Sequence, residues 1–231
     1  MANLTGSDLH LSFGAGENRV HAVRGATVAL HGGHLTLLSG PKDSGKTSLL
    51  YMLGCVLLPD AGEVMVNGRE SGSLPEDDRT QLRRGEIGFV FQSLRLFCGL
   101  TVLQNVAVSL SIHETSPREG SVSSFEVARV ALRRVGLEEK ANLRPGELTA
   151  GERRRVAIAR ALVRDPEILL ADEPAGSLDD RAGREIAELL AGFARGDRIV
   201  TVASRDAGWM AYARQCVRIE DGRIVDAEQG V

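Results

Sequence analysis

Gly40-Pro41-Lys42-Asp43-Ser44-Gly45-Lys46-Thr47 meets every fixed position of the phosphate-cradling loop pattern G-x-x-x-x-G-K-[ST]. In such a loop the glycines let the backbone curl until successive N–H groups point at a polyphosphate. The Lys46 ammonium then reaches the outer phosphates and the Thr47 hydroxyl ligates Mg2+. Residues 34–39, HLTLLS, read as a short buried strand entering the loop. Residues 48–58, apolar nearly all round, read as a buried helix leaving it from Ser48, stopped by Pro59-Asp60-Ala61-Gly62. Strand, loop and helix N-terminus together make an anion site, because the helix dipole adds positive potential where the loop donates hydrogen bonds. The lysines point the same way. Of 28 basic residues only Lys42, Lys46 and Lys140 are lysines, and two of these three sit in the loop. A slim ammonium fits between phosphates where a planar guanidinium does not.

The 231 residues can bury a sizeable core, and 43% hydrophobic with 26% charged content is ordinary for a globular protein. A net charge of −3 gives no reason to expect nucleic acid as a partner. No apolar run approaches the ~18–20 residues of a membrane span, and MANLTGSDLH lacks a signal-peptide core, so a cytoplasmic location is expected. Cys55, Cys98 and Cys216 are widely spaced and read as reduced thiols, and His31-Gly32-Gly33-His34 reads as a turn rather than a metal clip.

Strand signals lie at residues 9–13, 20–30, 63–68, 86–92, 168–171 and 199–203, with a final hairpin around Asp221-Gly222. Residues 69–84 are polar, half helix and half loop. Thr101 caps a helix to about Ile112, residues 114–122 form a loop, and Ser123 with Glu126 makes a capping box for a helix stopping near Gly136. Helices are also expected over 156–162 and 180–192. Strands alternating with helices around a phosphate loop mean an α/β fold with a parallel sheet and the loop at its carboxyl edge, while the first strands suggest a small antiparallel sheet.

Far downstream, Ile168-Leu169-Leu170-Ala171-Asp172-Glu173-Pro174 is an apolar strand ending in two carboxylates, the Walker B pattern. Asp172 is placed to hold Mg2+, and Glu173 to accept a proton from an attacking water. With the loop at residues 40–47 this points to a Mg-nucleotide triphosphatase.

Between the two lies Leu148-Thr149-Ala150-Gly151-Glu152-Arg153-Arg154-Arg155-Val156-Ala157-Ile158-Ala159-Arg160-Ala161-Leu162. It resembles the signature segment of ATP-binding cassette (ABC) ATPases, usually LSGGQ followed by a helix, and the resemblance extends over essentially the whole chain. It implies a P-loop NTPase (RecA-like) fold: one nucleotide-binding domain over 1–231, with core 1–92 and 148–231 and an inserted α-helical subdomain at 93–147. Phe13 matches the aromatic position that stacks on adenine, Gln92 the Q-loop that reaches the metal and the attacking water, and Gly176-Ser177-Leu178-Asp179 the D-loop. Residues 17–25, 87–92 and 100–106 look like the subgroup serving lipoprotein release, macrolide export and cell-division permeases. The family implies ATP and Mg2+ as cofactors. It also implies head-to-tail pairing with a second ABC ATPase subunit, itself or a paralogue, so that Thr149, Ala150, Gly151, Glu152 and Asp179 of one chain complete the site of the other. An integral membrane permease is expected to dock between Ser93 and Leu103, where Leu94, Leu96, Phe97 and Leu100 gather apolar surface. The protein would then be peripheral on the inner face of the cell membrane.

The chain departs from the family at four places. Val202-Ala203-Ser204-Arg205-Asp206 puts Arg205 where the family has a histidine contacting the γ-phosphate. Arginine can still donate to phosphate, yet it can also draw Glu173 into an ion pair that spoils it as a base. Ala150 adds a methyl in the signature, Glu152 a negative charge, and Asp43 a carboxylate in the phosphate loop. The expectation is ATP binding with slow hydrolysis. The alternative is a hydrolysis-impaired, ATP-dependent dimerising scaffold or regulatory module of a membrane complex.

Overall fold

Two sheets organise residues 2–111 and 123–229, the residues described by the computed structural model. In chain order the strands are β1 (Asn3–Phe13), β2 (Val20–His31), β3 (Leu35–Ser39), β4 (Ala61–Val66), β5 (Arg69–Glu70), β6 (Ile87–Val90), β7 (Ile168–Asp172), β8 (Ile199–Ser204), β9 (Ala213–Glu220) and β10 (Arg223–Gln229). The α-helices are α1 (Lys46–Leu53), α2 (Glu76–Glu86), α3 (Val102–Ser111), α4 (Ser124–Arg134), α5 (Ala150–Leu162) and α6 (Asp180–Phe193). One sheet has the order β2-β1-β4-β5 and is antiparallel. The other has the order β10-β9-β3-β8-β7-β6, parallel except for the β9–β10 hairpin.

Burial explains the difference between the sheets. Along β2, Ala26, Val28 and Leu30 are buried while Thr27, Ala29 and His31 are exposed, the alternation of a strand wetted on one face. Every residue of β7 and β8 is buried, as strands covered on both faces require. That covering brings the carboxyl ends of β3, β7 and β8 side by side, with Ser39 paired to Ser204 and Asp172 to Ala203. The phosphate loop, the two carboxylates and the Ser204-Arg205 step therefore leave the sheet at one edge.

Three sequence expectations need correction. The helix expected over residues 48–58 is α1, already begun at Lys46 and ended at Leu53. Gly54 returns its N–H to Leu50, Cys55 takes a φ of 56°, and a Cβ on Gly54 would press into the Phe89 ring, so packing against β6 stops the helix before Pro59. The first strand starts at Asn3 rather than Leu9, because Ser7-Asp8 forms an irregularity in the ladder, not a turn, with Asp8 at φ 49°. The helix of the 69–84 segment runs on to Glu86.

Thr101 caps α3 as read, in a box with Gln104 that was not foreseen, and the Ser123–Glu126 capping box of α4 forms as read. The expected helix end at Ile112 and the loop at 114–122 lie outside the described residues. Val106 of α3 and Leu132 of α4 belong to the same buried cluster as Leu169 of β7 and Val200 of β8. Among the described residues no helix is long and apolar enough to cross a membrane.

Candidate nucleotide-binding site

β3 delivers the chain to Gly40, and α1 carries it away from Gly45. Gly45 lies in the left-handed region at φ 102°, and a Cβ there would run into the Ala22 carbonyl. Gly40, at φ 154°, is closed in the same way by the Ile219 carbonyl. Asp43 takes φ 60°, a geometry that aspartate tolerates, and its side chain is exposed together with Lys42 and Pro41. No side chain caps α1, so its first N–H groups keep their donors for an anion.

Lys46 is only 6% exposed and folds back over the loop. Its Nζ donates to the carbonyls of Gly40 at 2.8 Å and Pro41 at 2.5 Å and to Ser44 Oγ at 3.3 Å. Burial pushes its pKa down; Glu173 and Asp172 oppose this, and Arg205 adds to it. Thr47 Oγ1 donates to both carboxylate oxygens of Asp172 at 3.1 Å. Burial raises the pKa of Asp172, which is 1% exposed, against the Thr47 hydrogen bond, while the Glu173 charge raises it further. A buried carboxylate meeting a hydroxyl across an anion-binding loop is a hard-oxygen donor set, and it fits Mg2+, which binds few protein oxygens and takes the rest from phosphates and water. Gln92 is not drawn into this pair: its side chain is exposed, and its carbonyl accepts from Arg154 at 3.2 Å.

Beside Asp172, Glu173 has φ 45°, unusual for a non-glycine residue, and its N–H donates to the Ala203 carbonyl at 2.8 Å. Both of its carboxylate oxygens are engaged. Ser204 Oγ donates to Oε2 at 3.1 Å, and Arg205 donates to Oε1 through its backbone N–H at 3.2 Å and Nε at 3.3 Å. The ion pair expected from the Arg205 replacement is therefore formed; the hydrogen bond from Ser204 was not foreseen.

Phe13, at the end of β1 and 47% exposed, lines a cavity of about 410 Å3 with His21, Asp43, Lys46, Thr47 and Gly222. Ser48 lies in its wall as well. An aromatic face beside an anion loop suits a base with a polyphosphate tail.

The signature residues lie elsewhere. Thr149 caps α5 by accepting from Glu152 N–H at 3.3 Å, and Glu152 accepts from Thr149 N–H at 3.0 Å. Lys140 donates to Glu152 Oε1 at 2.5 Å and is the first cause of that carboxyl's lowered pKa, with Thr149 adding to it. Asp179 caps α6, accepting from Ala182 N–H at 2.9 Å. Thr149, Ala150, Gly151, Glu152 and Asp179 share a separate cavity of about 420 Å3, whose lining includes no residue of the phosphate loop. Lys140 was missed in the sequence; its signal was that it is the one lysine outside the loop.

Residues 23–176 match the family described as ABC transporter. The chain is 36% identical over 222 residues to the macrolide export ATP-binding/permease protein MacB of Chlorobium phaeobacteroides, covering 96% of this chain and 33% of that protein. It is also 36% identical over 222 residues to an uncharacterized ABC transporter ATP-binding protein of Thermotoga maritima, covering 96% of this chain and 93% of that one. The chain thus spans about a third of the length of its MacB relatives, 33% in the Chlorobium protein. Among solved structures it is similar to a dimeric, post-hydrolysis ATP-binding cassette bound to ADP and Pi, with 31% identity, a TM-score of 0.88 and 98% of each chain covered. A P-loop α/β fold, a phosphate-type loop beside the Asp172-Glu173 carboxylates, and these likenesses lead to one assignment: the chain belongs to the ABC transporter family, as an ATP-binding cassette.

Proposed function

We propose that this chain binds Mg-ATP and hydrolyses it slowly as the ATPase subunit of an ABC transporter. It would pair with a second ABC ATPase subunit, an identical copy or a paralogue, beneath a membrane permease on the inner face of the cell membrane. One observation carries the reading: the phosphate loop with Phe13, and the signature with Asp179, line two separate cavities of the same chain. A second copy turned head to tail joins one half-site to the other. At Gly151 a Cβ would meet nothing closer than Ala182 Cβ at 3.6 Å, so the chain itself leaves room there, in keeping with a surface that a partner approaches. The dimeric cassette relative with ADP and Pi, and MacB relatives named as ATP-binding/permease proteins, support the pairing and the permease.

In this reading Gly40 to Ser48 hold the phosphates, Phe13 stacks on the base, and Thr47, Asp172 and Gln92 hold Mg2+. When bound, Mg2+ supplies charge neutralisation on the phosphates. Glu173 accepts the proton of the attacking water once Arg205 has moved from it to the γ-phosphate. Residues 1–231 form a single nucleotide-binding domain with core 1–92 and 148–231 and helical insert 93–147, supported by the buried cluster that α3 and α4 share with the sheet. The permease docks between Ser93 and Leu103, where Phe97 is 53% exposed at the rim of an apolar groove that also includes Phe89 and Phe91.

A second reading, an ATP-dependent dimerising scaffold, is favoured by the occupation of both Glu173 oxygens. A steady-state ATPase assay against a Glu173→Gln control separates the two. The transporter-motor reading expects the wild type to turn over at least about a hundred-fold faster than the control; equal rates leave the scaffold.

A further inference from the structure

Arg154 lies one turn into α5 and is 8% exposed. Its two terminal groups reach different loops: Nη1 donates to the Gln92 carbonyl at 3.2 Å and Nη2 to the Gly176 carbonyl at 2.8 Å. Gln92 opens the segment that runs to Phe97 and the apolar groove; Gly176 opens the turn to Asp179. The connection continues, since Gly176 N–H donates to the Glu173 carbonyl at 3.0 Å. Nε is buried with no acceptor among the described residues. Burial lowers the Arg154 pKa, and the Glu173 charge opposes that shift.

A leucine or methionine would fill this space without desolvating a charge. What the guanidinium adds is a rigid planar fork, in which displacing one bonded carbonyl strains or breaks the bond to the other. We propose that Arg154 is a positioning residue for ATP hydrolysis, a clamp that holds the Gln92 loop and the Gly176–Asp179 turn in one register, so that a shift of the docking segment reaches Asp179 and the Glu173 backbone. This deepens the proposed function and rests on it.

The test compares the full chain with its Arg154→Leu and Arg154→Lys variants by amide hydrogen exchange and steady-state ATPase. In Arg154→Leu, exchange at residues 93–97 and at 176–179 rises together by about ten-fold or more while that of α1 is unchanged. Turnover falls about ten-fold, with KM for ATP within about two-fold. Arg154→Lys, able to hold one carbonyl at a time, falls between, and it alone decides if the leucine variant does not fold. A rise in one segment only, no rise, or lost activity that appears wholly in KM overturns the clamp, as does unchanged Arg154→Leu turnover. Wild-type turnover no faster than that of Glu173→Gln overturns the proposed hydrolytic function and, with it, the role of Arg154.

Discussion

Arg205 and Ser204 hold the two oxygens of Glu173, so the carboxylate proposed as general base is engaged by its own chain. The ion pair is only part-buried, with Arg205 58% and Glu173 14% exposed, and such pairs are weak, so phosphate oxygens can compete for the guanidinium. Arg205→His should raise kcat by about ten-fold, because an imidazole contacts phosphate without neutralising the carboxylate. An unchanged or lower kcat in steady-state assays means that arginine is itself a working phosphate contact. Lys140 has a different task. It offsets the carboxylate of Glu152 at the start of α5, the end that in the proposed pairing faces the partner's nucleotide. Lys140→Ala should weaken ATP-driven pairing about ten-fold, with little loss of stability because the lysine is half-exposed, and Glu152→Gln should restore it. Equilibrium sedimentation of the single and double variants checks both.

At the scale of elements, β3, the phosphate loop and the start of α1 were legible in the sequence because they are specified locally, by an apolar run and by glycines at fixed offsets. The end of α1 was not. Leu53 is its last residue, with Gly54 packed on Phe89, a contact that the run of apolar residues does not contain. Leu4 is fully buried although it precedes the first strand signal at residues 9–13, since the ladder absorbs Ser7-Asp8 as an irregularity. Within the site, Lys46, Thr47 and Asp172 could be named from spacing alone. The Lys140 partner of Glu152 and the two carbonyls held by Arg154 could not, for they come from segments outside α5 brought near only by folding. The helices at 93–147 add a stability prediction. Leu132 is fully buried in the cluster shared with the sheet, so Leu132→Ala should cost about 3 kcal/mol and leave one cooperative unfolding transition. Two transitions in thermal or urea unfolding would mean that these helices fold apart from the core.

For the molecule as a whole, the decisive feature is incompleteness. The phosphate loop leads into an α1 with no side-chain cap, Thr47 meets Asp172, and Glu173 stands beside them, while the capped N-terminus of α5 opens into a different cavity. In the proposed pairing each half-site is completed by a second cassette, which makes the association ATP-dependent. The direct measurement is sedimentation velocity of the Glu173→Gln chain, which holds nucleotide without consuming it. With saturating Mg-ATP it should sediment as a dimer, and with Mg-ADP or with no nucleotide as a monomer. A monomer that has bound ATP, as judged by equilibrium dialysis, would contradict a composite site made by two copies of this chain.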